Sequence, residues 1–116
     1  MGRPVVHFEL GGADVDKLGG FYASIFDWQM TPMPDMNYVT IATGEGSLGG
    51  GLTGEERPST VISIEVDDIP GTLAAIEAAG GSAVMGETVI PGIVTYAVFT
   101  DPAGNTVGLV KSEIPS

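Results

Sequence analysis

The sequence contains no cysteine, and its 116 residues include only four basic side chains and a single histidine. Without cysteine the chain cannot form a disulfide, a thiolate zinc site or a thiol nucleophile. Arg3, Lys17, Arg57 and Lys111 are scattered among fifteen acidic residues, and the formal net charge is −11. Because phosphate backbones and anionic lipids bind clustered Lys and Arg, we expect neither nucleic acid nor a membrane as a partner.

Long apolar runs are missing as well. No stretch approaches the roughly 20 apolar residues that cross a bilayer, and residues 1–4 lack the apolar stretch of a signal peptide. We therefore expect a soluble, cytoplasmic protein. With 43% hydrophobic residues and a mean hydropathy of +0.28, the chain can fill a core. Its length predicts a single domain over residues 1–116.

Glycine and proline are frequent, at eighteen and eight residues without a period, which favours short elements joined by tight turns. In the first half, alternating apolar residues predict a strand over 4–10, and Asp14 can cap a following helix. The apolar stripe of that helix has four members, Val15, Leu18, Tyr22 and Ile25. Its two glycines, Gly19 and Gly20, each cost roughly 1 kcal/mol relative to alanine, which burial of the stripe must offset.

After this helix the prolines at 32 and 34 predict a loop. Strands are expected at 38–42 and 48–53, and residues 55–58 are the expected connector between the halves.

The second half repeats this order. A strand at 61–66 leads to Asp68, which can cap a helix whose apolar stripe is Ile69, Leu73 and Ile76. Gly80 and Gly81 are expected to end that helix. Three further strands are expected around 83–85, 94–100 and 106–111.

A constant shift brings residues 7–10 onto 61–64 and the two helix caps onto each other. A repeated unit of this kind dictates the architecture. We predict an α+β fold of two tandem βαβββ modules, about 4–54 and 60–112. The modules are expected to form a curved, cup-like mixed sheet with the helices on its convex face.

Short motifs along almost the whole chain carry a family resemblance. They are His7-Phe8-Glu9-Leu10, Phe21-Tyr22, Phe26-Asp27-Trp28, Gly49-Gly50-Gly51, Ile64-Glu65-Val66-Asp67-Asp68-Ile69, Ala78-Ala79-Gly80-Gly81, Tyr96-Ala97-Val98-Phe99 and Asp101-Pro102-Ala103-Gly104-Asn105. With them the sequence resembles the vicinal-oxygen-chelate superfamily of glyoxalases, bleomycin resistance proteins and extradiol dioxygenases. Within it, the sequence is most similar to an uncharacterised bacterial branch related to lactoylglutathione lyase.

The resemblance implies a site for a divalent ion made by two histidines and two acids. By that analogy His7 occupies the first histidine position and Val61 the second, while the acids fall on Gly108 and near Gly50 or Gly51. A catalytic ion normally needs three protein ligands. We therefore expect neither a metal ion nor another cofactor.

The residues expected in the cup are His7 and Glu9, two apart on one strand, with Ser63 and Glu65 on the equivalent strand. These four are candidates for lining a ligand pocket. A histidine with two acids could hold Mn²⁺, Fe²⁺ or Mg²⁺, or act as an acid–base pair. The alternative is that His7 is a hydrogen-bonded remnant and the glutamates are solvated.

Three aromatic residues complete the candidate pocket. Trp28 lies at the exit of the first helix, and Tyr38 and Tyr96 lie on predicted strands. Aromatic faces around an acidic cup would suit a flat, cationic ligand. The alternative is that these rings fill the core or an interface.

Residues 44–49 match the pattern G-x-G-x-x-G. In dinucleotide sites a helix follows this motif and its first amides hold the phosphates. Here three glycines in residues 50–54 disfavour a helix, and Glu45 would repel phosphate. We interpret the segment as a hairpin turn.

Three functions follow as alternatives. The first is a small-molecule-binding protein similar to the bleomycin resistance proteins, without a complete catalytic metal site. The second is a lyase, isomerase or dioxygenase-type enzyme that uses an altered site around His7 with Glu9 or Glu65. The third is an interaction module. The resemblance also implies a homodimer, since relatives of this size are usually dimeric.

Overall fold

The computed structural model describes residues 2–112, which divide into two compact units, 6–61 and 2–5 with 62–112. The first unit contains β1 (Val5–Gly12), α1 (Val15–Phe26), β2 (Gln29–Met33), β3 (Tyr38–Ala42) and β4 (Gly50–Gly54). The second consists mainly of β5 (Ser59–Val66), α2 (Ile69–Ala78), β6 (Ser82–Ile90), β7 (Val94–Thr100) and β8 (Thr106–Lys111). The predicted α+β class and the duplicated βαβββ order are confirmed. Neither described helix is long and apolar enough to cross a membrane.

In the first unit the strands lie in the order β2-β3-β4-β1, with β1 parallel to β4 and the other neighbours antiparallel. Val39, Ile41 and Leu52 point to one side and form the buried core of this unit. Val15 and Leu18 of α1 pack against that core. We call this side the helix face of the sheet and the opposite side its polar face.

Helix α1 begins at the predicted cap, because the Asp14 carboxylate accepts a 3.0 Å hydrogen bond from the Lys17 backbone N–H. The predicted apolar stripe is wrong at Ile25, whose side chain is 56% exposed. Trp28 takes its place, since it packs against the core and stacks on Tyr22 at 5.3 Å.

The loop predicted after α1 is wrong over residues 29–33, which form β2. Pro32 lies opposite Val39 in the pairing of β2 with β3. β2 is the outermost strand of this unit's sheet. Proline is tolerated in such a strand, because its missing N–H removes no backbone hydrogen bond when it faces the unpaired outer side. Pro34 instead begins a short 3-10 helix, Pro34–Met36. The edge position of β2 explains why proline did not prevent a strand.

The segment 44–49 forms the turn between β3 and β4. Ser47 N–H donates to Gly44 O at 3.0 Å, and the Thr43 hydroxyl donates to Leu48 O at 2.6 Å. The element that follows is β4 and not a helix. The interpretation of this segment as a hairpin turn is therefore confirmed.

In the second unit the order is β5-β8-β7-β6, with β5 parallel to β8. Its core consists of Val66, Ile69, Ala97, Phe99 and Leu109. As predicted, Asp68 caps α2 by accepting from the backbone N–H of Gly71 at 3.1 Å, and Gly80 follows the helix with a φ of +104°. β6 is longer than predicted and contains register shifts against β7.

The two units correspond residue by residue, both in their helix caps and in the pairing of their first strands. β1 and β5 have eight residues each, and both helices start behind a capping aspartate. Glu9 lies opposite Gly51 in the first unit, and Ser63 lies opposite Gly108 in the second. The superposition predicted from the sequence extends to these pairs.

Candidate functional site

His7 and Glu9 lie on the polar face of the first unit. They alternate along β1 with Phe8 and Leu10, whose side chains pack against the core on the helix face. Both residues are partly buried. An imidazole and a carboxyl group are thus placed side by side on one strand.

Tyr38 connects these two side chains. It is the first residue of β3, and its neighbour Val39 points into the core, so the Tyr38 ring lies on the polar face. Its hydroxyl is 3.0 Å from Nε2 of His7. The Glu9 carboxyl group lies near enough for a hydrogen bond from the same hydroxyl to lower its pKa. A single phenol therefore interacts with both the imidazole and the carboxyl group.

Burial perturbs the acid–base behaviour of Glu9 and His7. It raises the pKa of Glu9; the hydrogen bond from Tyr38 opposes this shift, and the nearby Glu55 carboxylate adds to it. Burial also lowers the pKa of His7, so the imidazole is neutral at pH 7. Glu9 therefore binds a proton more readily than a solvated carboxylate does.

The proton positions follow from these shifts. Burial, with the charge of Glu9, raises the pKa of Tyr38, so the phenol keeps its proton. Because the hydrogen bond from Tyr38 lowers the pKa of Glu9, the phenol donates to the ionised carboxylate. A phenol has one proton only. With the phenol proton directed to Glu9, His7 carries its proton on Nε2 in the 3.0 Å contact; with the phenol proton directed to His7, Nε2 is the acceptor.

Glycine at position 51 makes this arrangement possible. Gly51 is buried on β4 opposite Glu9. A Cβ at this position would overlap the hydroxyl end of the Tyr38 ring. The ring thus occupies the space that a side chain at 51 would need.

A second glycine brings another carboxylate close to Glu9. A Cβ at Gly11 would overlap the Ser59 hydroxyl. That hydroxyl donates a 2.7 Å hydrogen bond to Oε2 of Glu55. Sequence reasoning missed Glu55 and Ser59, which belong to no motif, and it considered Gly51 only as a position without a metal ligand. The spacing of Gly11 two residues after Glu9 on one strand was the only available signal.

The structure places Trp28 apart from His7. Its ring lies 5.7 Å from that of Phe8, on the helix face, and contacts Tyr22 and Phe26 of α1. Of the residues predicted to line a pocket, the first unit therefore brings His7, Glu9 and Tyr38 together, and Trp28 belongs to the packing under the helix.

Ser63, Glu65 and Tyr96 belong to the second unit. Ser63 is 9% exposed, and a Cβ at the opposite Gly108 would lie 2.7 Å from its hydroxyl. Glu65 is partly buried, and its backbone N–H donates to Pro4 O at 2.9 Å. Tyr96 alternates with the core residue Ala97 and so faces away from the core. A role for these three residues in ligand binding stays a prediction.

The donors on the polar face do not match the divalent ion that the resemblance implies. Gly51 supplies no ligand atom, and the space above it is filled by Tyr38. The Nε2 atom of His7 is in contact with the phenol oxygen at 3.0 Å, so an ion bound to Nε2 would have to displace the Tyr38 ring. In the described part of the chain, no group of three or more His, Cys, Asp or Glu side chains is placed to hold a metal.

Comparisons with known proteins agree with the duplicated topology. Residues 5–44 match a family model described as "Bleomycin resistance protein-like N-terminal". A comparison with curated protein sequences gave no match.

Several solved structures are similar over nearly the whole chain. Methylmalonyl-CoA epimerase from Mycobacterium tuberculosis is 13% identical, with a TM-score of 0.70, over 95% of this chain and 88% of that one. A glyoxalase/bleomycin resistance protein/dioxygenase superfamily member from Vibrio splendidus 12B01 is 19% identical, with a TM-score of 0.69, over 96% and 100%. The Mn(II)-bound glyoxalase from Novosphingobium aromaticivorans is 20% identical, with a TM-score of 0.72, and 96% of this chain covers 40% of it. Identities this low establish a common fold and leave the chemistry to the residues of the site.

Proposed function

The chain has the fold of the vicinal-oxygen-chelate superfamily, and from this premise we propose that it is a small-molecule-binding protein whose site uses His7, Glu9 and Tyr38 without a metal ion. The observation that carries the proposal is the Tyr38 hydroxyl, which joins the imidazole to the carboxyl group on the polar face. Such a fixed set of hydrogen-bonding groups orients a polar ligand.

The charges around the site favour a ligand with a protonated nitrogen or with several N–H donors. Glu9 and Glu55 lie close enough for the charge of Glu55 to raise the pKa of Glu9. Arg3, one of only four basic residues in the chain, pairs with Asp67 in the second unit at 3.0 Å. A cationic ligand would relieve the repulsion between the two carboxylates.

Ligand binding can be followed through the only histidine of the chain. Small amines, neutral amides and carboxylates would be screened by thermal shift, and hits would be checked for movement of the His7 imidazole signals in NMR. We expect amines to move these signals and carboxylates to leave them in place. A panel in which no compound moves them would contradict the proposal.

The Glu9→Gln variant tests the role of the carboxylate. Loss of a charged hydrogen-bond partner costs about 1.5–3 kcal/mol, so the Kd of an amine should rise about 10- to 150-fold. Glu87→Gln is the matched control, because it removes the same charge from an exposed position on β6. Equal loss of affinity in both variants would assign the effect to net charge alone.

A second candidate function is proton transfer to and from a carbon acid, the chemistry of an isomerase or lyase. It is favoured by the raised pKa of Glu9 beside a neutral imidazole, since a general base works best when its pKa lies near the working pH. Glu9 would remove the proton as the carboxylate and return it as the acid. Thioesters with an acidic C–H would then exchange that hydrogen in D₂O, and Glu9→Gln would abolish the exchange.

We also propose that the protein is a homodimer. The support is a group of exposed apolar side chains on α1, where Phe21, Ile25 and Phe26 are each more than half exposed. Sedimentation velocity should give about twice the 11.9 kDa chain mass. Ile25→Glu should shift the protein toward the monomer, whereas Val84→Glu on β6, where Val84 is also exposed, should not.

A further inference from the structure

On the polar face of the first unit, the end of the Tyr38 ring occupies the space that a side chain at position 51 would fill. A Cβ at Gly51 would overlap the hydroxyl oxygen and Cζ of Tyr38 and would lie 2.7 Å from its Cε2. These atoms form the far end of a flexible side chain, so a larger residue at 51 would displace the ring and leave the strand in place. The position of the phenol therefore depends on the absence of a side chain at 51.

We propose that Gly51 is the specificity-determining residue of this site, because it lets the Tyr38 hydroxyl close a hydrogen-bonded chain from His7 to Glu9. The consequence for ligand choice rests on the proposed function, whereas the chain of hydrogen bonds can be measured without any ligand. With the phenol in place, Nε2 of His7 is occupied and Glu9 is held by a donor. The site then selects ligands by hydrogen bonding and charge.

The second unit supports the same role for a glycine. Gly108 occupies on β8 the position that Gly51 occupies on β4, because each lies opposite an equivalent residue of the first strand. A Cβ at Gly108 would lie 2.7 Å from the Ser63 hydroxyl. In both units a hydroxyl group thus fills the space above this glycine.

The titratable groups that face His7 and Glu9 within the first unit are few. β3 contributes Tyr38, and the segment after β4 contributes Glu55, whose charge raises the pKa of Glu9. β4 itself contributes none, since its sequence is Gly-Gly-Leu-Thr-Gly. Within the first unit, the pKa of Glu9 is therefore set first by burial of its carboxyl group, then by the hydrogen bond from Tyr38 and by the charge of Glu55.

The first experiment compares Tyr38→Phe with Gly51→Ala by NMR of the ligand-free protein. Tyr38→Phe keeps the ring and removes the hydroxyl, so the titration midpoint of the Glu9 carboxyl carbon should move to higher pH. Gly51→Ala displaces the ring, so it removes the hydrogen bond and also exposes the Glu9 carboxyl to water, and the midpoint should differ from that of wild type. In both variants the Nε2 proton of His7 should exchange faster with water.

Two control variants carry the same substitutions elsewhere. Tyr96→Phe removes a hydroxyl from the second unit, and Gly20→Ala adds a methyl group where no atom lies within 4 Å. Both should leave the Glu9 midpoint unchanged. A Gly51→Ala protein with an unshifted Glu9 midpoint and slow exchange at His7 would overturn the proposal.

A double-mutant cycle separates this role from a general effect on folding. In the Tyr38→Ala background the ring is gone, so adding Gly51→Ala should cause no further shift of the Glu9 midpoint and little loss of stability. If Gly51→Ala destabilises both backgrounds equally, position 51 does not act through Tyr38. If the hydrogen-bonded chain is found but no ligand moves the His7 signals, only the proposed function fails.

Discussion

Helix α1 contains two adjacent glycines, and replacing Gly20 by alanine should stabilise the protein. Nothing lies within 4 Å of a Cβ built at Gly20, and the residue is exposed. At Gly19, which is buried, a Cβ would lie 3.6 Å from Cδ1 of Leu52 and 3.8 Å from Cγ of Met30, which are ordinary van der Waals distances. Neither substitution meets a steric obstacle, so helix propensity should decide the outcome at both positions.

The expected gain follows from the helix propensity of alanine over glycine, which is about 1 kcal/mol per residue in a helix interior. For a chain of 116 residues the entropy of unfolding is roughly 0.24 kcal/mol per degree, so 1 kcal/mol raises Tm by about 4 °C. Gly19→Ala should give a similar increase, because the added methyl group also contacts apolar side chains.

Differential scanning calorimetry and urea unfolding would measure these changes. Gly46→Ala is the matched control: it also has free space around the new Cβ, but its φ of +76° makes an L residue unfavourable by about 1–2 kcal/mol. We expect opposite signs for Gly20→Ala and Gly46→Ala. A Gly20→Ala protein no more stable than wild type would refute the argument from helix propensity.

Further outcomes are expected from the same structure. Because the pKa of Glu9 is raised in the folded protein, its contribution to stability is present at acidic pH and is lost as the pH rises through the folded-state pKa. In urea titrations, the stability of Glu9→Gln relative to wild type should therefore increase from pH 4 to pH 8. The relative stability of Glu87→Gln should not. Because the pKa of His7 is lowered in the folded protein, wild type should lose stability as the pH falls below about 6.5. His7→Gln should remove this loss. Asp14→Ala and Asp68→Ala should each cost about 1 kcal/mol by calorimetry, since both carboxylates cap helices in the same way. Elemental analysis of protein purified without chelators should find less than about 0.1 equivalent of Mn, Fe, Co, Ni or Zn, and a full equivalent would contradict a metal-free site.

Prediction from the sequence was most successful where neighbours along the chain decide the structure. An N-cap depends on one side chain and the backbone N–H three residues later, and both Asp14 and Asp68 cap their helices as expected. Alternation along β1 placed Phe8 and Leu10 against the core and left His7 and Glu9 on the other face.

Prediction failed where the position of a strand in the sheet decides what is tolerated. The prolines after α1 indicated a loop, yet Pro32 lies within β2. Proline is acceptable there because β2 is an outer strand of its unit's sheet. Strand order is a property of pairing between distant segments, and local composition does not contain it.

The sequence by itself determined the duplicated βαβββ order and the two capped helices, because these depend on residue type and spacing. Only the tertiary structure decided that the phenol of Tyr38 lies over Gly51 and joins His7 to Glu9. Those four residues come from three strands, and their contact depends on pairing register and on the volume that one glycine leaves empty. Neither quantity can be read from neighbours along the chain.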